Sequence, residues 1–194
     1  MMAALDATFS SHPVLTVMHI IPAAIFVVLA AGILLRRTSG EWLERLLFVM
    51  FFVSGAMTGA TAYAMSFHAI AGWVERSAVL VFNTWFLLSL GRAYLLGLRG
   101  EAARKREWMT RAVGVLLGIA TTRPVMGVFF ATSGRTHLGP HQFFGMAFWI
   151  GFSINAVVTE YWLHSRRRAE LHKSEPYFER IAVSGSERNL DVRS

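Results

Sequence analysis

The sequence has no cysteine, little charge and none of the common short motifs of soluble enzymes. Zero cysteines in 194 residues exclude disulfides, thiolate metal sites and thiol catalysis. No glycine-rich phosphate loop, HExxH or GxSxG motif occurs in the chain. Charged residues make up 16% of the chain and hydrophobic residues 54%, whereas soluble domains carry about 25% charged residues. The composition therefore favours a membrane protein.

Long apolar runs are abundant. They cover residues 13–35, 46–68, 77–98, 108–131 and 142–163. A helix of ~20 residues crosses the ~30 Å hydrocarbon core of a bilayer. We therefore predict an all-α polytopic membrane protein with a bundle of five transmembrane helices in residues 1–164. Residues 165–194 are charged and poor in apolar side chains, so we predict a basic, disordered cytoplasmic tail there.

The distribution of Lys and Arg predicts the orientation of these helices. Connections 36–45 and 99–111 and the tail are basic, whereas residues 1–12 contain no Lys or Arg and the other two connections contain one each. Under the positive-inside rule, this places the N-terminus outside and the C-terminus in the cytoplasm. The net charge of +7 then fits a chain in the lipid bilayer that contacts anionic lipids at the cytoplasmic face, and not one that binds nucleic acid.

Arg123 is the most informative polar residue, because it lies near the middle of the fourth run. A guanidinium stays protonated in a protein, so at this depth it needs an acceptor or water. Two interpretations stay open: Arg123 binds the Ala120 carbonyl, which Pro124 leaves without a donor, or it binds the anionic group of a ligand. We predict an outward-facing polar intramembrane pocket around Arg123 that binds a small anionic ligand or cofactor, with the molecular activity undefined.

Three histidines and an asparagine are predicted close to the level of Arg123. His19 and His68 lie in the first and second runs, and His141 directly precedes the fifth. All three fall in the outer third of the membrane, and Asn83 lies in the third run. Neutral imidazoles from different helices suit a transition metal or the axial ligation of haem, and Arg123 would then suit a propionate. Hydrogen bonding at the rim of the bundle is the alternative. Haem b is the cofactor that these residues would fit, and no dedicated metal site is predicted.

Arg92, Asn155 and Glu160 are predicted to be structural polar residues inside the spans. Arg92 and Glu160 both fall roughly 7–10 Å to the cytoplasmic side of the centre, at 1.5 Å per residue. An unpaired charge in hydrocarbon costs at least about 2.5–3.5 kcal/mol. Either the two side chains form an ion pair, or each reaches separately to the inner surface.

The second run carries small residues at helical spacing. Gly55 and Gly59 form a GxxxG step that lets a neighbouring helix approach closely. Packing within the bundle is one interpretation. The other makes the chain a non-catalytic membrane subunit or assembly factor that forms a homo- or hetero-oligomer through the Gly55/Gly59 face.

The second half of the sequence resembles a bacterial family of integral membrane proteins known as domain of unknown function 2306. The similarity lies in KREWMTRAVGVLLGIATTRP at residues 105–124 and FWIGFSINAVVTE at residues 148–160. The residues that match family positions are Trp108, Met109, Arg111, Arg123, Asn155 and Glu160. The chain departs from the family at Glu44-Arg45 and at Lys105, where histidines are usual. The resemblance implies a multi-pass protein of the bacterial inner membrane and implies no particular activity.

Overall fold

A computed structural model describes residues 13–35, 41–67, 72–136 and 140–191. Within these ranges the secondary structure consists of helices and short turns, so the all-α prediction is confirmed for them. The helices are α1 Pro13–Leu35, α2 Glu41–Ser66, α3 Trp73–Leu98, α4 Ala102–Leu116, α5 Gly118–Thr136 and α6 Pro140–Asp191.

Five stretches of helix are long and apolar enough to cross a membrane, as the sequence predicts. They are Pro13–Leu34, Trp42–Ser66, Trp73–Leu98, Ala102–Ser133 and Phe143–Glu170. Many of their large apolar side chains face outward, for example Val28 at 70% exposed and Val157 at 68%. Such a surface is unfavourable in water and suits lipid, so the chain has the properties of a multi-pass membrane protein.

The fourth span consists of two helices, although the sequence predicts one. Helix α4 ends at Leu116, and α5 begins at Gly118. At the break, the Leu117 N–H still donates to the Val113 carbonyl at 2.9 Å, whereas the Ala120 N–H donates to the Leu117 carbonyl at 3.0 Å, a tighter turn. The two helices can therefore present different faces to the rest of the bundle.

The chain divides into two compact units, Met1–Val157 and Val158–Ser194. In the first unit, α1 packs on α2, α2 on α3, α3 on α4, and α4 on α1. Aromatic side chains fill the centre: the Phe26 ring stacks on Phe51 at 4.4 Å and meets the edge of Phe86 at 5.4 Å between centroids. The first part of α6 joins this core, because Phe152 stacks on Phe82 of α3 at 5.2 Å.

The second unit contains the remainder of α6, which continues to Asp191. The sequence predicts that the fifth span ends at residue 163. In the structure, the helix continues past this residue into the predicted tail. Within this unit, the Arg166 guanidinium lies 4.3 Å from the centre of the Trp162 ring. The location of the tail outside the membrane stays a prediction.

The Gly55/Gly59 face is used inside the bundle. A Cβ added at Gly55 would lie 2.8 Å from the side chains of both Leu90 and Phe26, and one added at Gly59 would lie 2.8 Å from Leu87 Cγ. These contacts come from α1 and α3, so the two glycines let both helices approach α2 closely. A partner helix would have to displace these side chains to reach this face.

Candidate functional site

The hydroxyl groups of α2 form a polar strip along one side of the helix. Ser54 donates to the Phe51 carbonyl at 3.1 Å, and Thr58 donates to the Ser54 carbonyl at 2.8 Å. Thr61 donates to the Met57 carbonyl at 2.7 Å. Each hydroxyl proton is therefore used within α2, and the hydroxyl oxygens remain able to accept hydrogen bonds from neighbouring helices.

His19 on α1 bonds to this strip. Its Nδ1 lies 2.9 Å from the Thr61 hydroxyl oxygen. Because Thr61 already donates its only hydroxyl proton within α2, the histidine is the donor in this bond. Nδ1 therefore carries a proton, and Nε2 of the neutral ring is an acceptor. Histidines that ligate metals are oriented by a hydrogen bond of the same kind.

Asn83 on α3 bonds to the same helix. Its side-chain amide donates to the Gly59 carbonyl at 2.9 Å, and the residue is 9% exposed. Without a side chain at Gly59, α3 comes close enough for this bond. Interhelical hydrogen bonds of this type contribute about 0.6–2 kcal/mol in membranes. Asn83 therefore links α2 to α3, and its side-chain NH2 group is engaged in this bond.

Arg123 lies on the surface of α5, where its side chain is exposed. Residues one turn away on both sides, Ile119, Ala120 and Gly127, are exposed as well. A Cβ at Gly127 would meet no atom within 4 Å, so the surface beside Arg123 is open. Within the part of the chain that the structure describes, no hydrogen bond or ion pair holds the guanidinium. The outward-facing polar pocket predicted around Arg123 stays a prediction, and in the structure the guanidinium borders an open surface.

His19 and Asn83 each bond to α2, whereas Arg123 lies on α5. Helix α5 contacts α4. The pairing of Arg123 with a haem propionate stays a prediction. His68 lies outside the described residues, and the side chain of His141 does so too. The predicted haem ligands other than His19 consequently stay predictions.

Two threonines that accept hydrogen bonds are not among the predicted site residues. Thr61 binds His19, and Thr121 on α5 accepts from the amide of Asn155, which also donates to the Gly151 carbonyl at 3.1 Å. A depth comparison would have found the first pair, because His19 lies six residues after the start of α1 and Thr61 five before the end of α2. In antiparallel neighbours, these positions share a level.

Arg92 is exposed on α3 and packs against an aromatic ring. Its guanidinium carbon lies 4.9 Å from the centre of the Trp108 ring, a cation–π contact. Glu160 belongs to the second unit of the chain. The ion pair between Arg92 and Glu160 therefore stays a prediction.

Comparisons with known proteins identify no relative. No family model, no curated protein and no solved structure matches this chain.

Proposed function

We propose that this chain is a multi-pass protein of a bacterial inner membrane that binds the anionic group of a membrane-soluble molecule at Arg123. Its N-terminus lies outside and its C-terminus in the cytoplasm. The five spans and the alternation of basic connections support this arrangement. The resemblance to domain of unknown function 2306 supports the bacterial inner membrane.

The observation that carries the proposal is the position of Arg123 far from both ends of its span. It lies ten residues before Ser133, where the fourth span ends, and twelve after Arg111, the nearest charged residue on the other side. These separations correspond to about 15 Å and 18 Å of helix, more than an arginine side chain can reach. Its Cα–Cβ bond also tilts toward the helix N-terminus, away from the nearer end. The Arg123 guanidinium is therefore poorly placed to reach water at either membrane surface.

An anionic ligand removes this penalty. An uncompensated cation near the bilayer centre costs at least about 2.5–3.5 kcal/mol. A carboxylate or phosphate pairs with a guanidinium through two parallel hydrogen bonds, and the attraction is stronger where water is scarce. The open surface beside Gly127 gives such a group access to Arg123 from the lipid. A free acid and a lipid phosphate share this chemistry.

Native mass spectrometry of the full-length protein, extracted from its membrane in a neutral detergent, tests the proposal. We expect a bound anionic molecule, whose mass distinguishes an organic acid from a phospholipid. Arg123→Gln should lose it, and Arg123→Lys should retain part of it because the charge remains without the two-pronged geometry. Gly127→Leu should also lose it by filling the open surface. Arg104→Gln is the matched control, since Arg104 already pairs with Glu101 at 3.0 Å.

Two outcomes would contradict the proposal. One is that Arg123→Gln retains the same bound masses as the unsubstituted protein. The other is that the protein carries no anionic molecule and instead co-purifies with a stoichiometric partner protein that Arg123→Gln releases. In that case the anion would be a carboxylate on a partner helix.

The orientation is tested separately with single cysteines, for which the cysteine-free sequence provides a clean background. A membrane-impermeant maleimide added to intact cells should label Ser11→Cys. It should label Ser165→Cys only after the membrane is opened. Labelling of both positions in intact cells would show that the two ends lie on the same side, contrary to the proposed topology.

A cofactor ligated by His19 is the second candidate. The observation that favours it is the bond from Nδ1 to Thr61, which leaves the lone pair of Nε2 available for a ligand. Haem would give purified protein a Soret band that His19→Ala abolishes, whereas His164→Ala, at an exposed position, should leave it unchanged. A colourless protein after expression with haem precursor would count against this candidate. A role as a non-catalytic subunit would need a docking face other than Gly55/Gly59, which α1 and α3 occupy.

A further inference from the structure

Two arginines share one tryptophan ring where α3 and α4 meet. The guanidinium carbons of Arg92 and Arg111 lie 4.9 Å and 4.6 Å from the centre of the Trp108 ring. Arg111 is also 3.9 Å from a carboxylate oxygen of Glu107 on its own helix. We call these four residues the tryptophan cluster. It holds two cations and one carboxylate.

The tryptophan cluster lies where the apolar part of α4 begins. Arg92 lies six residues before α3 ends at Leu98, and Trp108 six residues after α4 begins at Ala102. Both therefore lie about 9 Å from the turn that joins the helices, which explains why they meet. Residues 104–107 are all charged, so the hydrocarbon begins after them. Indole rings are enriched at this boundary.

The other basic side chains near this end of α4 already have partners. Arg104 pairs with Glu101 at 3.0 Å. Lys105 lies 5.0 Å from the centre of the Phe48 ring, and Arg106 donates to the Leu34 carbonyl of α1 at 2.7 Å.

Arg92 is different. In the described residues of the first unit, it has the Trp108 contact but neither a hydrogen bond nor an ion pair. Its side chain is exposed, so the donors of the guanidinium are accessible from outside the chain. The ring positions the cation without using those donors.

We infer that Arg92 and Trp108 form a binding site for the phosphate group of one anionic phospholipid. The guanidinium donates two hydrogen bonds to a phosphodiester, and the indole packs against the glycerol region at the membrane boundary. A phosphodiester carries one negative charge, which matches the single positive charge of the Arg92 guanidinium. The site lies on α3 and α4 and does not depend on a ligand at Arg123.

The experiment uses the full-length protein in nanodiscs of phosphatidylcholine that contain increasing fractions of phosphatidylglycerol. Native mass spectrometry after release of the protein measures the bound phosphatidylglycerol per chain. We expect one tightly bound molecule. Arg92→Gln should weaken its binding about tenfold to a hundredfold, because a charge-assisted pair of hydrogen bonds is lost. Arg92→Lys should weaken it less, and Trp108→Phe, which keeps a ring, should weaken it less than Trp108→Leu.

Controls separate a built site from general attraction to a basic surface. Arg104→Gln removes the same charge nearby and should leave the tight binding unchanged, since Arg104 is paired with Glu101. An equal loss in Arg92→Gln and Arg104→Gln would overturn the proposal. Arg123→Gln should also leave this lipid bound, so the result is independent of the ligand proposed for α5.

Glu160 provides a further discriminating variant. If the carboxylate of Glu160 neutralised Arg92, Glu160→Gln would free the guanidinium and increase the binding of phosphatidylglycerol. That increase would overturn the proposal. Unchanged binding in Glu160→Gln, together with the loss in Arg92→Gln, would support it.

Discussion

The contact between α5 and α6 makes Gly151→Ala the most sensitive test of the packing. A Cβ at Gly151 would lie 2.8 Å from both Cα and N of Thr122, and it would also meet the Thr122 hydroxyl oxygen. Ordinary contacts of this kind are 3.4–4 Å. Because two of the opposing atoms belong to the backbone, the new methyl group cannot be accommodated by a change of rotamer. The helices have to separate.

The cost follows from the size of this separation. Restoring ordinary contact requires a shift of roughly 0.5–1 Å, which forfeits a quarter to a half of the dispersion attraction across the affected atoms. Overpacking of this kind costs about 1–3 kcal/mol of the free energy of unfolding. The hydrogen bond from Asn155 to Thr121, one turn away, would be strained by the same movement.

Two other glycines calibrate the result. Gly127→Ala, where nothing lies within 4 Å, should be neutral or stabilising by up to ~1 kcal/mol because alanine favours the helix. Gly59→Ala should cost less than Gly151→Ala, since the atoms it meets belong to the flexible side chain of Leu87. The free energy of unfolding is measured by reversible denaturation in mixed detergent micelles. Equal stabilities of Gly151→Ala and Gly127→Ala would refute the close approach of α5 and α6.

Further predictions concern the polar contacts of α2 and α3. Asn83→Leu should lower the free energy of unfolding by about 1 kcal/mol, because the hydrogen bond to the Gly59 carbonyl is lost. Ser89→Ala on the same helix should be neutral or stabilising, because the Ser89 hydroxyl is buried and has no partner among the described residues. A loss of equal size in both variants would contradict the assignment. Nitrogen NMR should show His19 protonated at Nδ1, and Thr61→Val should alter that signal; a proton found on Nε2 alone would rule out the donor role of Nδ1.

The sequence was sufficient to locate the five spans, because runs of apolar residues report directly on burial in lipid. It also identified Gly55 and Gly59 as a close-packing step, but not the helices that use it. That choice depends on which side chains of α1 and α3 meet α2, and Phe26 and Leu87 carry no distinguishing pattern in a chain so rich in apolar residues.

The position of Arg123 could not be derived from the sequence. In one continuous helix, residues 112 and 123 are eleven positions apart, so their side chains would point within about 20° of each other. Ala112 is fully buried, whereas Arg123 is exposed. The break at Leu117 and the packing of Gly118 and Thr122 against α6 turn a different face of α5 inward. Neither the break nor this packing is marked in the sequence by a proline or a charged residue at Leu117, Gly118 or Thr122.

A single spin label measures most directly whether Arg123 faces the hydrocarbon, as we propose. Gly127→Cys places the label one turn from Arg123 on the same exposed surface and keeps the arginine, and no other cysteine reacts. In lipid vesicles, we expect strong relaxation by oxygen, which concentrates in the hydrocarbon, and weak relaxation by a water-soluble nickel chelate. Strong relaxation by the chelate would show that water reaches this surface, and the need for an anionic ligand at Arg123 would disappear.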